Sequence, residues 1–166
     1  TDKGLGTAEH KLFPDENFQK REFLCSTDER FRPVSVYSGP DGCIYIVDLY
    51  RGILQHKVYV TSFYLKPYIL ERKLEVPVGM GRIYRIVHTA KGRNKTQPRL
   101  LSASNTELVE TLSHPNGWWR DTAQRLLVQR NDTKSVPLLK KAAATAKNHL
   151  GRIHALWTLE GMNALD

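Results

Sequence analysis

Long apolar runs are missing from this chain: nothing in its 166 residues approaches the roughly 18 consecutive apolar residues that a membrane helix needs. Cysteine is scarce. Cys25 and Cys43 are the only two, and they are spaced neither as CxxC nor as the CxxCH of haem attachment. Neither has a second Cys or His two to four residues away, which argues against a zinc site. A disulfide between them and two separate buried thiols both stay open as readings. The glycine and nucleophile motifs of common enzyme classes are also lacking: there is no P-loop, no GxGxxG cradle and no GxSxG elbow. "GMGRIYRI" places two glycines beside a strand but opens no helix, so it is not a nucleotide loop. His114, His149 and His154 are too scattered for a metal triad. The opening "TDKGLGTAEH" has no initiator Met and no apolar signal core, so the chain is expected to be a piece of a longer protein.

Positive charge is plentiful: 25 Lys and Arg stand against 17 Asp and Glu, a net +8. A nucleic-acid surface would need those cations on one face. They are instead spread along the chain. The one dense run, Lys91, Arg93, Lys95 and Arg99, lies in a polar stretch that reads as a linker. No nucleic-acid partner is expected.

The hydrophobic period changes midway. From Arg32 to Val87 it is that of strands. Val34 and Val36 alternate, Gly39-Pro40-Asp41-Gly42 reads as a turn, and Ile44, Ile46 and Asp48 share one face opposite Tyr45 and Val47. "GRIYRIVH" is a further strand. Between them lies an insertion of some thirty residues in which "YLKPYILERKL" is a short helix limited by Pro67. From Asn105 the period is helical. "NTELVETLSH" opens on an expected Asn105 cap, "WWRDTAQRLLVQR" sets Trp119, Ala123, Leu126 and Leu127 at helical spacing, and Asp132 or Thr133 caps "KSVPLLKKAAATA". "HLGRIHALWTLEG" is a fourth helix ending at Gly161. Arg120 and Arg152, Ala123 and Ala155, and Leu127 and Leu159 are each 32 positions apart, the mark of an α-solenoid whose repeats continue.

Four stretches, "REFLCSTDERFRPVSVYSGPDGCIYIVDLYRGILQHKVYVT", "GMGRIYRIVH", "LSHPNGWWRDTAQRLLVQR" and "HALWTLEG", carry a family resemblance. Together they resemble the large membrane-bound dehydrogenase-like proteins of planctomycetes, in which a sorbosone/glucose-dehydrogenase-type β-propeller is joined to HEAT-like helical repeats. The resemblance implies a mixed fold. It assigns 1–88 to the C-terminal part of an antiparallel β-propeller, 89–104 to a linker and 105–166 to α-α HEAT-like repeats. It implies a fragment of a quinoprotein-like dehydrogenase, in the periplasm or cell envelope, that oxidises a sugar or alcohol and passes electrons to a c-type cytochrome. Haem c would belong only to parts of the parent absent here, as would the catalytic base.

The same resemblance gives Arg30 and Arg32 a role. Soluble quinoprotein glucose dehydrogenases carry a similar Arg-aromatic-Arg ahead of a Pro-Asp-Gly hairpin, and there the arginines hold the carboxylates of pyrroloquinoline quinone. A planar tricarboxylate suits a rigid guanidinium fork, and side chains two apart on an extended chain share a side. Asp48 and Arg51, after the strand, join them as expected cofactor contacts. The competing expectation pairs Arg30 and Arg32 with Asp28, Glu29 or Asp48 in a structural network. His56 is weighed as a general base against an ordinary loop histidine. Trp118 and Trp119 are read as packing between repeats, or between repeats and propeller, rather than as a stacking platform. The alternative function is a non-catalytic propeller/solenoid module that binds a glycan or a protein partner.

Overall fold

The computed structural model describes residues 23–54, 57–60 and 62–165. Three strands, β1 (Pro33–Ser38), β2 (Ile44–Asp48) and β3 (Arg82–Ile86), form one open antiparallel sheet in the order β1-β2-β3. Among the described residues five α-helices accompany it: α1 (Leu65–Glu71), α2 (Asn105–Thr111), α3 (Gly117–Arg130), α4 (Val136–Thr145) and α5 (His149–Gly161). The chain divides into two compact units. One holds the described residues up to Val34 together with Val47–Arg82; the other holds Ser35–Ile46 and Ile83–Asp166. Among the described residues no helix is long and apolar enough to cross a membrane.

The β-propeller expectation is overturned. The described residues form a single three-stranded sheet with two open edges, β1 and β3, whereas a propeller blade is a four-stranded sheet repeated around an axis. The strands stand where their alternation placed them, but alternation reports which face of a strand is buried and not how many neighbours it pairs with. The insertion between β2 and β3 adds no strand; it contributes a 3-10 turn at Lys57–Tyr59 and α1, with Pro67 in its first turn.

The hairpin between β1 and β2 forms because Gly42 takes φ +77°, a left-handed conformation that glycine adopts without strain. Asp41 locks it: its carboxylate accepts from the Cys43 amide at 3.1 Å and from the Tyr45 hydroxyl at 2.8 Å. Both cysteines are free thiols, Cys25 exposed and Cys43 buried.

The helices of the second unit share one apolar core. Leu108, Leu112, Leu127 and Leu139 are fully buried there, each contributing about 1.5–3 kcal/mol by removal from water. Ser104, not Asn105, caps α2. Its hydroxyl accepts from the Glu107 amide, and the Glu107 carboxylate accepts from the Ser104 amide at 2.7 Å, a reciprocal capping box. Asp132 caps the 3-10 turn Thr133–Ser135 ahead of α4.

The 32-residue echo extends to both ends of the helices. Asn116 caps α3 through Oδ1, accepting from the Trp118 amide at 2.9 Å, while its Nδ2 donates to the Gly39 carbonyl at 2.8 Å. Asn148 does the same for α5, accepting from Leu150 at 3.0 Å and donating to the Ser113 carbonyl at 3.2 Å. Asn131 and Asn163, again 32 apart, both leave their helices with positive φ, 44° and 53°. Trp119 Nε1 adds a bond to the Pro40 carbonyl at 3.0 Å, so the hairpin turn is held by the start of α3. Gly161 does not end α5 through backbone freedom; a Cβ there would lie 2.8 Å from Val128 Cγ2 of α3.

Two predictions follow from this packing. A Cβ on Gly151 would fall 2.2 Å from Ser113 Oγ and 3.3 Å from Ser113 Cα. The hydroxyl can rotate away but the backbone cannot, so Gly151→Ala is expected to destabilise by about 1–2 kcal/mol, overpacking outweighing the gain in helix propensity; urea denaturation reads it. His154 of α5 donates from Nδ1 to Gln124 Oε1 of α3 at 2.7 Å. Burial, and then Arg120, lower its pKa, against the opposing pull of Asp121. The unfolded chain therefore takes up a proton more readily. His154 contributes stability above the ordinary imidazole value of about 6.5 that is lost as pH falls through and below it. Melting temperature is expected to drop between neutral pH and pH of about 5, and less steeply in His154→Gln.

Candidate functional site

The first unit holds the residues singled out for cofactor binding. Arg30 sits just before β1 and reaches across to the segment that follows α1. Its Nε donates to the Val76 carbonyl at 3.0 Å, and its Nη2 donates to the carbonyls of Arg72 at 3.1 Å and Lys73 at 2.9 Å. These carbonyls lie at and just beyond the C-terminal end of α1, where helical partners run out and a cation is favoured by the helix dipole. The contact also secures Lys73, whose φ of +52° is unusual for a long side chain. Arg32 Nη2 donates to the Gly52 carbonyl at 3.2 Å.

Asp48 lies at the end of β2, 1% exposed. Its Oδ1 accepts from the Arg32 and Tyr50 amides, each at 2.8 Å. Oδ2 is buried and has no hydrogen-bond partner among the described residues. Asp48 thereby ties the entry of β1 to the exit of β2 and holds Tyr50 at φ +50°. From Tyr50 the connections run on. The Arg82 guanidinium lies 3.6 Å from the centre of the Tyr50 ring, a stacking worth about 0.5–1 kcal/mol when exposed. The Tyr50 hydroxyl donates to Asp28 Oδ2 at 2.9 Å, and Asp28 Oδ1 accepts from the Arg30 amide at 2.9 Å. The Arg30 amide first, and then the Tyr50 hydroxyl, hold the Asp28 carboxyl below its ordinary value. Glu29 pairs with Arg72. Among the described residues, Arg51 makes no hydrogen bond or ion pair to this network.

The structure thus brings Arg30, Arg32 and Asp48 into one network through backbone groups, and leaves Arg51 apart from it. The Arg30 fork is occupied by three carbonyls. A quinone carboxylate reaching Arg30 would have to displace them. His56 lies outside the described residues. Among the described residues no three His, Cys, Asp or Glu side chains gather to hold a metal.

Sequence reasoning missed the cavity in this unit. About 510 Å3 in volume, it is lined by Ile53, Val60, Ser62, Lys66, Ile69, Leu70 and Glu75. None of Arg30, Arg32, Asp48 or Arg51 lines it. The cavity combines one buried face of α1, Ile69, with Ile53 and Val60 from the chain ahead of it. Nearby in sequence, Phe63 is 89% exposed, and Tyr64 and Leu70 are also exposed. The available signal was the aromatic and aliphatic density of "VYVTSFYLKPYIL", which exceeds what a seven-residue helix can bury.

Residues 2–90, more than half of the chain, match a family described as a domain of unknown function, DUF7133. The chain belongs to the DUF7133 family. No curated protein and no solved structure matches it. The network and the cavity both fall within the DUF7133 segment.

The network carries a prediction for Arg30. Arg30→Ala is expected to destabilise the first unit by about 1–2 kcal/mol, the lower range for charged hydrogen bonds because these are solvent-exposed. Arg30→Lys recovers only part, since an ammonium lacks the fork that spans three carbonyls. Hydrogen exchange at 72–76, compared with global urea denaturation, locates the loss.

Proposed function

We propose that the DUF7133 segment is a non-catalytic recognition module whose cavity receives an apolar side chain from a partner polypeptide. The observation that carries this is the cavity beside α1. Its volume of about 510 Å3 lies within the range of roughly 300–1,000 Å3 typical of ligand pockets. Among the described residues of its lining, Ile53, Val60, Ile69 and Leu70 are aliphatic, and Lys66 and Glu75 supply one charge of each sign. A glycan asks for several converging donors and acceptors, whereas this lining suits one bulky apolar anchor and a polar backbone beside it. Exposed Phe63 and Tyr64 are the residue type that dominates protein interfaces.

The occupied fork of Arg30 favours the module over the quinone-binding reading. The motif resemblance to dehydrogenase-like proteins still supports a parent that oxidises a sugar or alcohol and delivers electrons to a c-type cytochrome in the periplasm or cell envelope. In such a parent this segment would serve recognition and assembly, and the redox chemistry would belong to the cofactor.

Selection of displayed random peptides on the full chain tests the reading. Enriched peptides are expected to share one large aliphatic or aromatic anchor. Leu70→Glu changes an exposed position, so it should leave the melting temperature unchanged while weakening those peptides about tenfold or more, 1.4 kcal/mol. Equal binding to Leu70→Glu, or enrichment without an anchor, removes the cavity from the function.

A further inference from the structure

We infer that the groove between α3 and α5 is a binding site for a neutral saccharide. The groove lies wholly in the second unit, and its occupancy does not depend on the cavity beside α1.

Its volume is about 360 Å3, near the lower end of the range of roughly 300–1,000 Å3 for ligand sites. α3 contributes Asp121, Gln124, Arg125 and Gln129, and α5 contributes Trp157. The four polar positions share one side of α3, because residues three and four apart on a helix are neighbours. Among the described residues of the lining, Val128 is the one aliphatic side chain.

These polar groups are available to a ligand. Arg30, Arg120 and Arg130 commit their guanidinium groups to backbone carbonyls. Among the described residues Arg125 and Gln129 make no hydrogen bond or ion pair. Gln124 is fixed through Oε1, which accepts from His154 Nδ1 at 2.7 Å, and its amide nitrogen is left as a donor. Asp121, its side chain 75% exposed, comes no closer to His154 than 3.8 Å. Trp157 is 61% exposed, and among the described residues its ring meets no other ring and no cation.

The lining selects the ligand class. A pyranose ring has an apolar C–H face and a rim of hydroxyls, each both donor and acceptor. An open indole face takes the former. Carboxylate, amide and guanidinium groups each present two polar atoms in one plane, which suits adjacent hydroxyls. Asp121 and Arg125 cancel in formal charge, so neither an anion nor a cation is favoured. An apolar side chain would find only Val128 to pack on, and a phosphate would find one guanidinium beside a carboxylate.

The test titrates the full chain with cellotetraose, mannotetraose and xylotetraose, and with tetragalacturonate as a charged counterpart. The indole N–H resonance of Trp157, assigned through Trp157→Phe, is followed by NMR together with the side-chain amides of Gln124 and Gln129. These resonances are expected to shift saturably with at least one neutral tetrasaccharide at millimolar concentration. Trp157→Ala is expected to weaken that binding about tenfold or more, and Arg125→Ala several-fold, with the melting temperature unchanged because both positions are exposed. If Trp157→Ala lowers the melting temperature, Arg125→Ala and Gln129→Ala carry the comparison. Leu70→Glu, at the cavity of the first unit, should leave sugar binding as it was. No saturable shift with any of the three neutral sugars overturns the inference, and so does equal affinity in the groove variants. Binding of tetragalacturonate alone overturns it and assigns Arg125 to an anion. A peptide that shifts the same resonances when no sugar does overturns it and gives the groove to a polypeptide.

Discussion

Backbone carbonyls at the ends of short helices must find donors, and in this protein arginine and asparagine side chains supply them. The last turn of a helix leaves carbonyls without intrahelical partners, and a helix of seven residues has few others. Arg30 takes those after α1. Arg120 holds the carbonyls of His114 and Pro115 between α2 and α3 at 2.7 and 2.9 Å. Arg130 grips Leu101 and Ala103, ahead of α2, at 2.9 and 2.7 Å. Asn116 and Asn148 each cap a helix and bond an earlier turn with the same side chain. The guanidinium suits this task because it keeps its charge at any pH and spreads several donors in one plane.

That constraint recasts the net positive charge. A surplus of Lys and Arg over acidic residues need not mark an anionic ligand, because several of the arginines serve neutral acceptors inside the fold. Arg30 shows how local the distinction is. Its position in Arg-Phe-Arg before a Pro-Asp-Gly hairpin is the same whether it meets a carboxylate or a carbonyl. The acceptor is supplied by Arg72, Lys73 and Val76, some forty residues on.

The two units place their uncovered apolar surface differently. In the DUF7133 segment it gathers around a cavity beside α1, where a side chain can enter. On α5, Ile153, Leu156 and Trp157 stay exposed along the helix.

The helices of the second unit were legible in the amino-acid sequence, because caps, period and the 32-residue echo act over a few residues: Trp119, Ala123, Leu126 and Leu127 are buried as their spacing requires. The three strands were legible for the same reason. Ser104 was not, since a capping box depends on which of two adjacent residues turns outward, and that is settled by Glu107 bonding back. The open sheet, the destination of Arg30 and the cavity of Ile53, Val60 and Leu70 were decided by tertiary structure alone. Each joins segments that no local pattern relates, and strand pairing, long-range hydrogen bonds and cavities exist only once those segments meet.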